Sequence, residues 1–142
     1  MNASPQTPAY SRIENSALFI AVIVLGVMAG FFWTYTFNVN YALLQLDGAS
    51  YAKVQSLLNV NVRHSMFFTF FFGGGVCSIL AVLFNLRHWR DRSMLLLLIA
   101  TLIYIFGVII YTRIVNLPLN YYTESWNPTN LPNDWQQVRQ QW

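Results

Sequence analysis

The candidates for chemistry in this sequence, side chains that can donate, accept or carry charge, gather at one end of its long uncharged runs. Trp33, Tyr35, Asn38 and Asn40 close the first run, Arg63 and His64 precede the second, and Arg113, Asn116 and Asn120 follow the third. Trp126, Trp135 and Arg139 join them from the C-terminal tail. Asparagine and arginine in or beside lipid are costly unless they pair, so these groups are expected to hydrogen-bond to one another. His64 is the one candidate acid or base among them, because histidine changes charge near neutral pH. Two arrangements fit this clustering: a polar plug that closes a helix bundle, or a polar mouth above an aromatic cavity. Phe31, Phe32, Trp33, Phe67, Phe68, Phe70 and Phe71 are the candidate cavity walls.

Other chemistry is excluded by what the sequence lacks. It contains no carboxylate pair, HExxH, glycine-rich phosphate loop or CxxCH motif, and its single cysteine, Cys77, sits in an apolar run. His88 lies at the opposite membrane face from His64, about 30 Å away by span length, so the two cannot share a metal. No cofactor and no metal are therefore expected.

The elements that must position these residues follow from composition. The 142 residues are 56% hydrophobic and 9% charged, against roughly 25% charged in a soluble domain, so the chain cannot cover itself with a water-facing surface. The net charge of +3 is spread out with no basic run, which argues against a nucleic-acid partner and for topology signals in a lipid bilayer. The expected fold is an all-α membrane protein, with three transmembrane helices in a bundle and two short interfacial amphipathic helices. The spans are read at about 17–37, 65–86 and 93–112, within a transmembrane domain over 16–115. A flexible tail with two prolines covers 1–15, and a polar, tryptophan-rich tail covers 116–142.

The first interfacial helix, about 50–62, carries Tyr51, Val54, Leu58 and Val62 at helical spacing, with Asp47 and Gly48 as its turn signal. The second follows Pro132 and carries Trp135, Val138, Arg139 and Trp142. Pro118 is expected to end the third span, and Asp91 or Ser93 to cap its start. In lipid, close backbone approach must hold helices together, so Gly26 and Gly30 and the triplet Gly73, Gly74 and Gly75 are expected seams. A sharper reading gives the triplet to a flat ligand beside the second span. Three spans place the N-terminus and the arginine-rich 87–92 loop on one side, predicted cytoplasmic, and the C-terminal tail on the other.

The stretch Gly30-Phe31-Phe32-Trp33-Thr34-Tyr35, then Asn38-Val39-Asn40, resembles the first-helix signature of the small membrane proteins grouped with anthrone oxygenases. Thr112, Asn116, Pro118-Leu119-Asn120, Trp126, Asp134-Trp135, Arg139 and Trp142 carry the resemblance further, over most of the chain from Ala17 onward. It implies a four-helix bundle whose fourth helix follows the Trp-x-x-x-Arg-x-x-Trp segment, where this sequence stops. A three-span form, an incomplete sequence and a helix supplied by a partner each fit. The resemblance also implies oxygenation of a reduced polyaromatic to a quinone without metal or flavin. Asn116, Asn120, Trp135 and Arg139 would then ring the substrate anion, with His64 as candidate base and Trp33, Tyr35, Asn38, Asn40, Arg113 and Trp126 as ligand contacts. The competing reading is a non-catalytic accessory subunit packed against a larger membrane complex.

Overall fold

A computed structural model describes residues 9–142, and among these the chain is all-α, with no strand. Three helices are long and apolar enough to cross a membrane: α1 (Arg12–Leu43), α3 (Ser65–Phe84) and α4 (Arg92–Glu124). Two shorter ones, α2 (Gly48–Asn61) and α5 (Trp135–Gln141), lie at the end where α1 and α4 finish.

α1 begins within the stretch expected to be a flexible tail. Ser11 and Glu14 form a reciprocal capping box, which satisfies two of the helix's otherwise unpaired N–H groups and starts it at Arg12. Residues 1–8 of that expected tail lie outside the described residues. At 1.5 Å per residue, the 32-residue α1 is about 48 Å long, so it overshoots a 30 Å hydrocarbon layer. The overshoot carries Asn40 and Leu43 past the expected boundary at Phe37. It passes through a π-helical turn, Tyr35–Val39, in which the Asn40 N–H donates to the Tyr35 carbonyl.

α4 corrects a second expectation, since it runs through Pro118 to Glu124 instead of stopping there. Proline removes one donor and crowds the carbonyl four residues back. The π-helical turn Thr112–Asn116 immediately precedes it, and its wider i→i+5 pattern leaves room and a free carbonyl where Pro118 would otherwise clash. Asp91 occupies the N-cap position of α4, but its side chain makes no cap hydrogen bond.

The glycine seams divide sharply. A Cβ on Gly74 would meet the Tyr104 ring and hydroxyl at 2.7 Å, and one on Gly75 would meet Ile109 at 2.9 Å, so these two let α3 and α4 touch. That contact fills the space a flat ligand would need beside Gly74 and Gly75. Gly26, Gly30 and Gly73 have nothing within 4 Å and mark no seam within this chain. The Tyr104 hydroxyl reaches past Gly74 to donate to the Phe71 carbonyl at 2.8 Å, leaving no unpaired phenol in the apolar core. Several of the rings read as candidate cavity walls pack on one another instead. Phe31, Phe32, Phe67 and Phe70 pack on Met28, Phe71 and Tyr104, with Phe67 ring centroids 5.3 Å from both Phe31 and Phe71. Trp33 and Phe68 point outward.

α2 packs against the final turns of α4, so its inward face differs from a lipid-facing stripe. Tyr51, Val54 and Leu58 do join the cluster of Leu43, Trp126 and Val138, but the most deeply buried positions include Gln55 and Asn59. Gln55 donates to Asn59 at 3.0 Å and Asn59 to the Thr123 hydroxyl at 3.1 Å, so polar groups on α2 meet polar groups on α4. Asp47 caps α2 by accepting from the Ser50 N–H at 3.0 Å, and that hydrogen bond holds its carboxyl below the usual range. Arg63, just after α2, pairs with Glu124 at the end of α4.

Two stability outcomes follow, both readable by equilibrium unfolding in mixed micelles. Gly74→Ala is expected to cost about 2 kcal/mol by overpacking Tyr104, whereas Gly26→Ala shows no loss. Equal effects at the two glycines would contradict the seam. Asn59→Ala leaves Gln55 and Thr123 without their buried partner and is expected to cost about 2 kcal/mol; a change within about 0.5 kcal/mol would remove the polar clamp from the account.

Candidate functional site

The overshooting end of α1, the first turn of α2 and the C-terminal end of α5 line an open cleft of about 320 Å³, the size of a small-ligand pocket. Asn40, Leu43 and Leu44 form one wall, Tyr51 the floor, and Arg139, Gln140, Gln141 and Trp142 the other wall. α5 can lie here because Gly48 has no side chain: a Cβ there would strike Leu131 at 2.6 Å and Trp135 at 3.1 Å.

Arg139 is the distinctive group. Its guanidinium lies 4.9 Å from the centroid of the Trp135 ring and 5.7 Å from that of Tyr51, and Nη1 donates to the Leu46 carbonyl at 3.0 Å. No carboxylate pairs with it among the described residues, and its Nε is buried without an acceptor. Asn40 Oδ1, on a residue of the facing wall, is likewise buried without a donor. Each such orphan costs roughly 1–3 kcal/mol. Tyr51 is buried, and that burial pushes its phenol up to about 12 against the smaller opposing effect of Arg139. It therefore stays neutral at physiological pH. No carboxylate or imidazole lines the cleft.

Of the residues singled out in the sequence, Asn40 and Arg139 line the cleft, and four more support it. Asn120 Oδ1 accepts from Trp142 Nε1 at 2.8 Å, tying α5 to α4. The Tyr35 ring lies 5.6 Å from that of Trp142. Trp135 braces Arg139, and the buried Trp126 lies 6.2 Å from Tyr51 by ring centroids. The others stand apart from the cleft. His64 is exposed and caps α3, its Nδ1 accepting from the Phe67 N–H at 3.3 Å. Trp33, Asn38 and Arg113 are exposed, and Asn116 is half-buried in the π turn of α4.

Sequence reasoning passed over Tyr51 as a site residue, reading it as part of an amphipathic stripe. It also passed over a second polar cluster at the opposite end. There, Glu14 is 5% exposed and receives Arg87 Nη2 at 2.8 Å, while the buried His88 ring stacks on Tyr10 at 3.8 Å. His88 Nδ1 faces Asp91 Oδ2 at 3.3 Å, and Asn85 donates to the Ala81 carbonyl at 2.8 Å. The available signal was Glu14 itself, since a carboxylate at the mouth of an apolar run requires a partner.

Among known proteins, no curated protein and no solved structure matches this chain. A family model, described as anthrone oxygenase, matches residues 60–142. The match takes in α3, α4 and α5 with Asn116, Asn120, Trp135 and Arg139, and it begins after the Gly30 to Asn40 signature and Tyr51. Because it spans more than half of the sequence, the chain belongs to the anthrone oxygenase family.

Proposed function

We propose that this membrane protein binds a flat, hydrophobic aromatic in the cleft of α1, α2 and α5 and holds its oxyanion against Arg139, as cofactor-independent oxygenation of an anthrone-like substrate requires. The observation that carries this reading is Arg139, a cation with no carboxylate partner among the described residues, in the lining of a ligand-sized cleft. A cation without a counter-ion favours the anionic form of a weak acid beside it.

The chemistry asked of the protein is modest. Loss of a proton from the ring CH₂ of an anthrone gives an enolate, which Arg139 and the neutral Tyr51 hydroxyl stabilise. The electron-rich enolate passes one electron to dioxygen, the radical and superoxide combine to a peroxide anion, and this takes a proton from water to give the hydroperoxide. Loss of water then leaves a quinone carbonyl, so CH₂ and O₂ become C=O and H₂O. With no carboxylate or imidazole in the cleft wall, the proton leaves to water at the membrane surface. In this reading Arg139 touches the reacting anion, Asn40 orients it, and Asn120 acts through Trp142. His64 and Asn116 lie outside the cleft and take no part.

The turn between α3 and α4, with the start of α1 beside it, is the turn end of the bundle and faces the cytoplasm in this reading, which Arg12, Arg87, Arg90 and Arg92 at that end support. A second reading, an accessory subunit of a larger membrane complex, is favoured by the open Gly26 and Gly30 on the outer face of α1, where another helix could approach.

Titration of the detergent-solubilised chain with a hydroxyanthraquinone, followed by tryptophan quenching, tests the binding claim. Arg139→Gln is expected to weaken binding about ten-fold or more, since a hydrogen bond to a charged group contributes about 1.5–3 kcal/mol. Arg139→Lys, which lacks the planar fork, should restore little of it. Trp33→Phe, on the outer surface, should leave affinity unchanged. Equal affinity for wild type and Arg139→Gln would remove Arg139 from the site, and comigration of the chain with a large complex and no aromatic ligand would favour the subunit reading.

A further inference from the structure

We infer that the turn end of the bundle, around Arg90, Arg92 and Arg12, is a docking surface for anionic phospholipid headgroups. Four of the eight basic residues lie at this end, together with two carboxylates, Glu14 and Asp91. Both carboxylates are engaged by the protein's own side chains. Glu14 is buried, engaged by Arg87 and by the Ser11 cap, and Asp91 faces His88 Nδ1 at 3.3 Å and receives the Tyr10 hydroxyl at 3.4 Å. Arg12, Arg90 and Arg92 are exposed and make no ion pair among the described residues.

The partner follows from where this surface must sit. α1, α3 and α4 expose apolar side chains along their length and belong in hydrocarbon, which puts the turn between α3 and α4 at headgroup level. Trp89, 66% exposed with the Arg90 guanidinium 4.7 Å from the centroid of its ring, is the kind of side chain that settles at this boundary. Guanidinium forks pair with phosphate oxygens in a planar, two-point geometry, and a negatively charged headgroup supplies the counter-charge that these engaged carboxylates do not. The opposite end is different: its exposed, unpaired Lys53 and Arg113 are offset by the exposed Asp47 and Asp134, while Arg63 is paired with Glu124 and Arg139 is covered by two aromatic rings.

The full chain, reconstituted in bilayer discs of phosphatidylcholine with a minor fraction of phosphatidylglycerol, is released into neutral detergent and the retained lipids are weighed by native mass spectrometry. Phosphatidylglycerol is expected to be enriched about five-fold over its bulk fraction, the effect of one arginine near an anionic surface. The Arg90→Gln, Arg92→Gln double variant should lose the enrichment. A Lys53→Gln, Arg113→Gln double variant, which removes the same charge from the other end, should keep it. Retained lipid at the bulk proportion in the wild type, enrichment surviving in the Arg90 and Arg92 variant, or equal loss in both variants would each overturn the inference.

Discussion

Hydrocarbon tolerates neither an unpaired backbone group nor an unpaired charge, and the organisation of this chain follows from that exclusion. Three long helices satisfy their own backbone inside the bilayer, and their one buried phenol, Tyr104, is hydrogen-bonded to the Phe71 carbonyl. Charged and amide side chains are displaced to the two ends, where they form separate networks, while the buried hydroxyls of Ser78 and Thr101 donate to carbonyls of their own helices. At one end Glu14, Arg87, His88 and Asp91 fasten α1 to the turn between α3 and α4. At the other, Gln55, Asn59, Thr123, Asn120 and Trp142 tie α2 and α5 to α4.

The second end is where a ligand site can form, because there the helices outrun the membrane. α1 and α4 both extend past the expected hydrocarbon boundary through π-helical turns, Tyr35–Val39 and Thr112–Asn116. Such turns alter which side chains share a face, and they frequently accompany functional positions. Here the first one precedes Asn40, a cleft residue, and the second lets α4 pass Pro118 to present Asn120 and Thr123. α5 then folds over the opening, seated on Gly48 and held by Trp142. What remains is a cleft whose walls contain one unpaired cation and one unpaired amide oxygen.

Much of this was legible in the sequence, and what escaped has identifiable physical causes. Runs without charge betrayed the three helices because lipid forbids charge there. The tail helix was readable from Trp135, Val138, Arg139 and Trp142, whose spacing repeats on one helical face. The continuation of α4 through Pro118 was not, since local proline sterics argue for a stop and only the π turn overrides them. Glycine spacing alone could not separate Gly74 and Gly75, which meet Tyr104 and Ile109, from Gly26 and Gly30, which meet nothing. The residues of the cleft were partly visible: Arg139 and Asn40 stood out as polar groups near lipid. Tyr51 did not, because a tyrosine at helical spacing reads as packing until its neighbours are known. Nor could the sequence sort the aromatic run of α3, of which Phe67, Phe70 and Phe71 pack into the core while Phe68 and Phe72 face outward.

The central claim is that the cleft beside Arg139 receives an aromatic anion, and photolabelling tests it most directly. A flat phenolic ligand bearing a small photoreactive group would be irradiated with the membrane-embedded chain and the modified residues located by peptide mass spectrometry. The account predicts labels on Leu43 or Leu44 and on the Arg139 to Trp142 segment, displaced by excess unlabelled ligand. Displaceable labelling confined to the Phe67 to Phe72 face of α3, with none on α5, would contradict it.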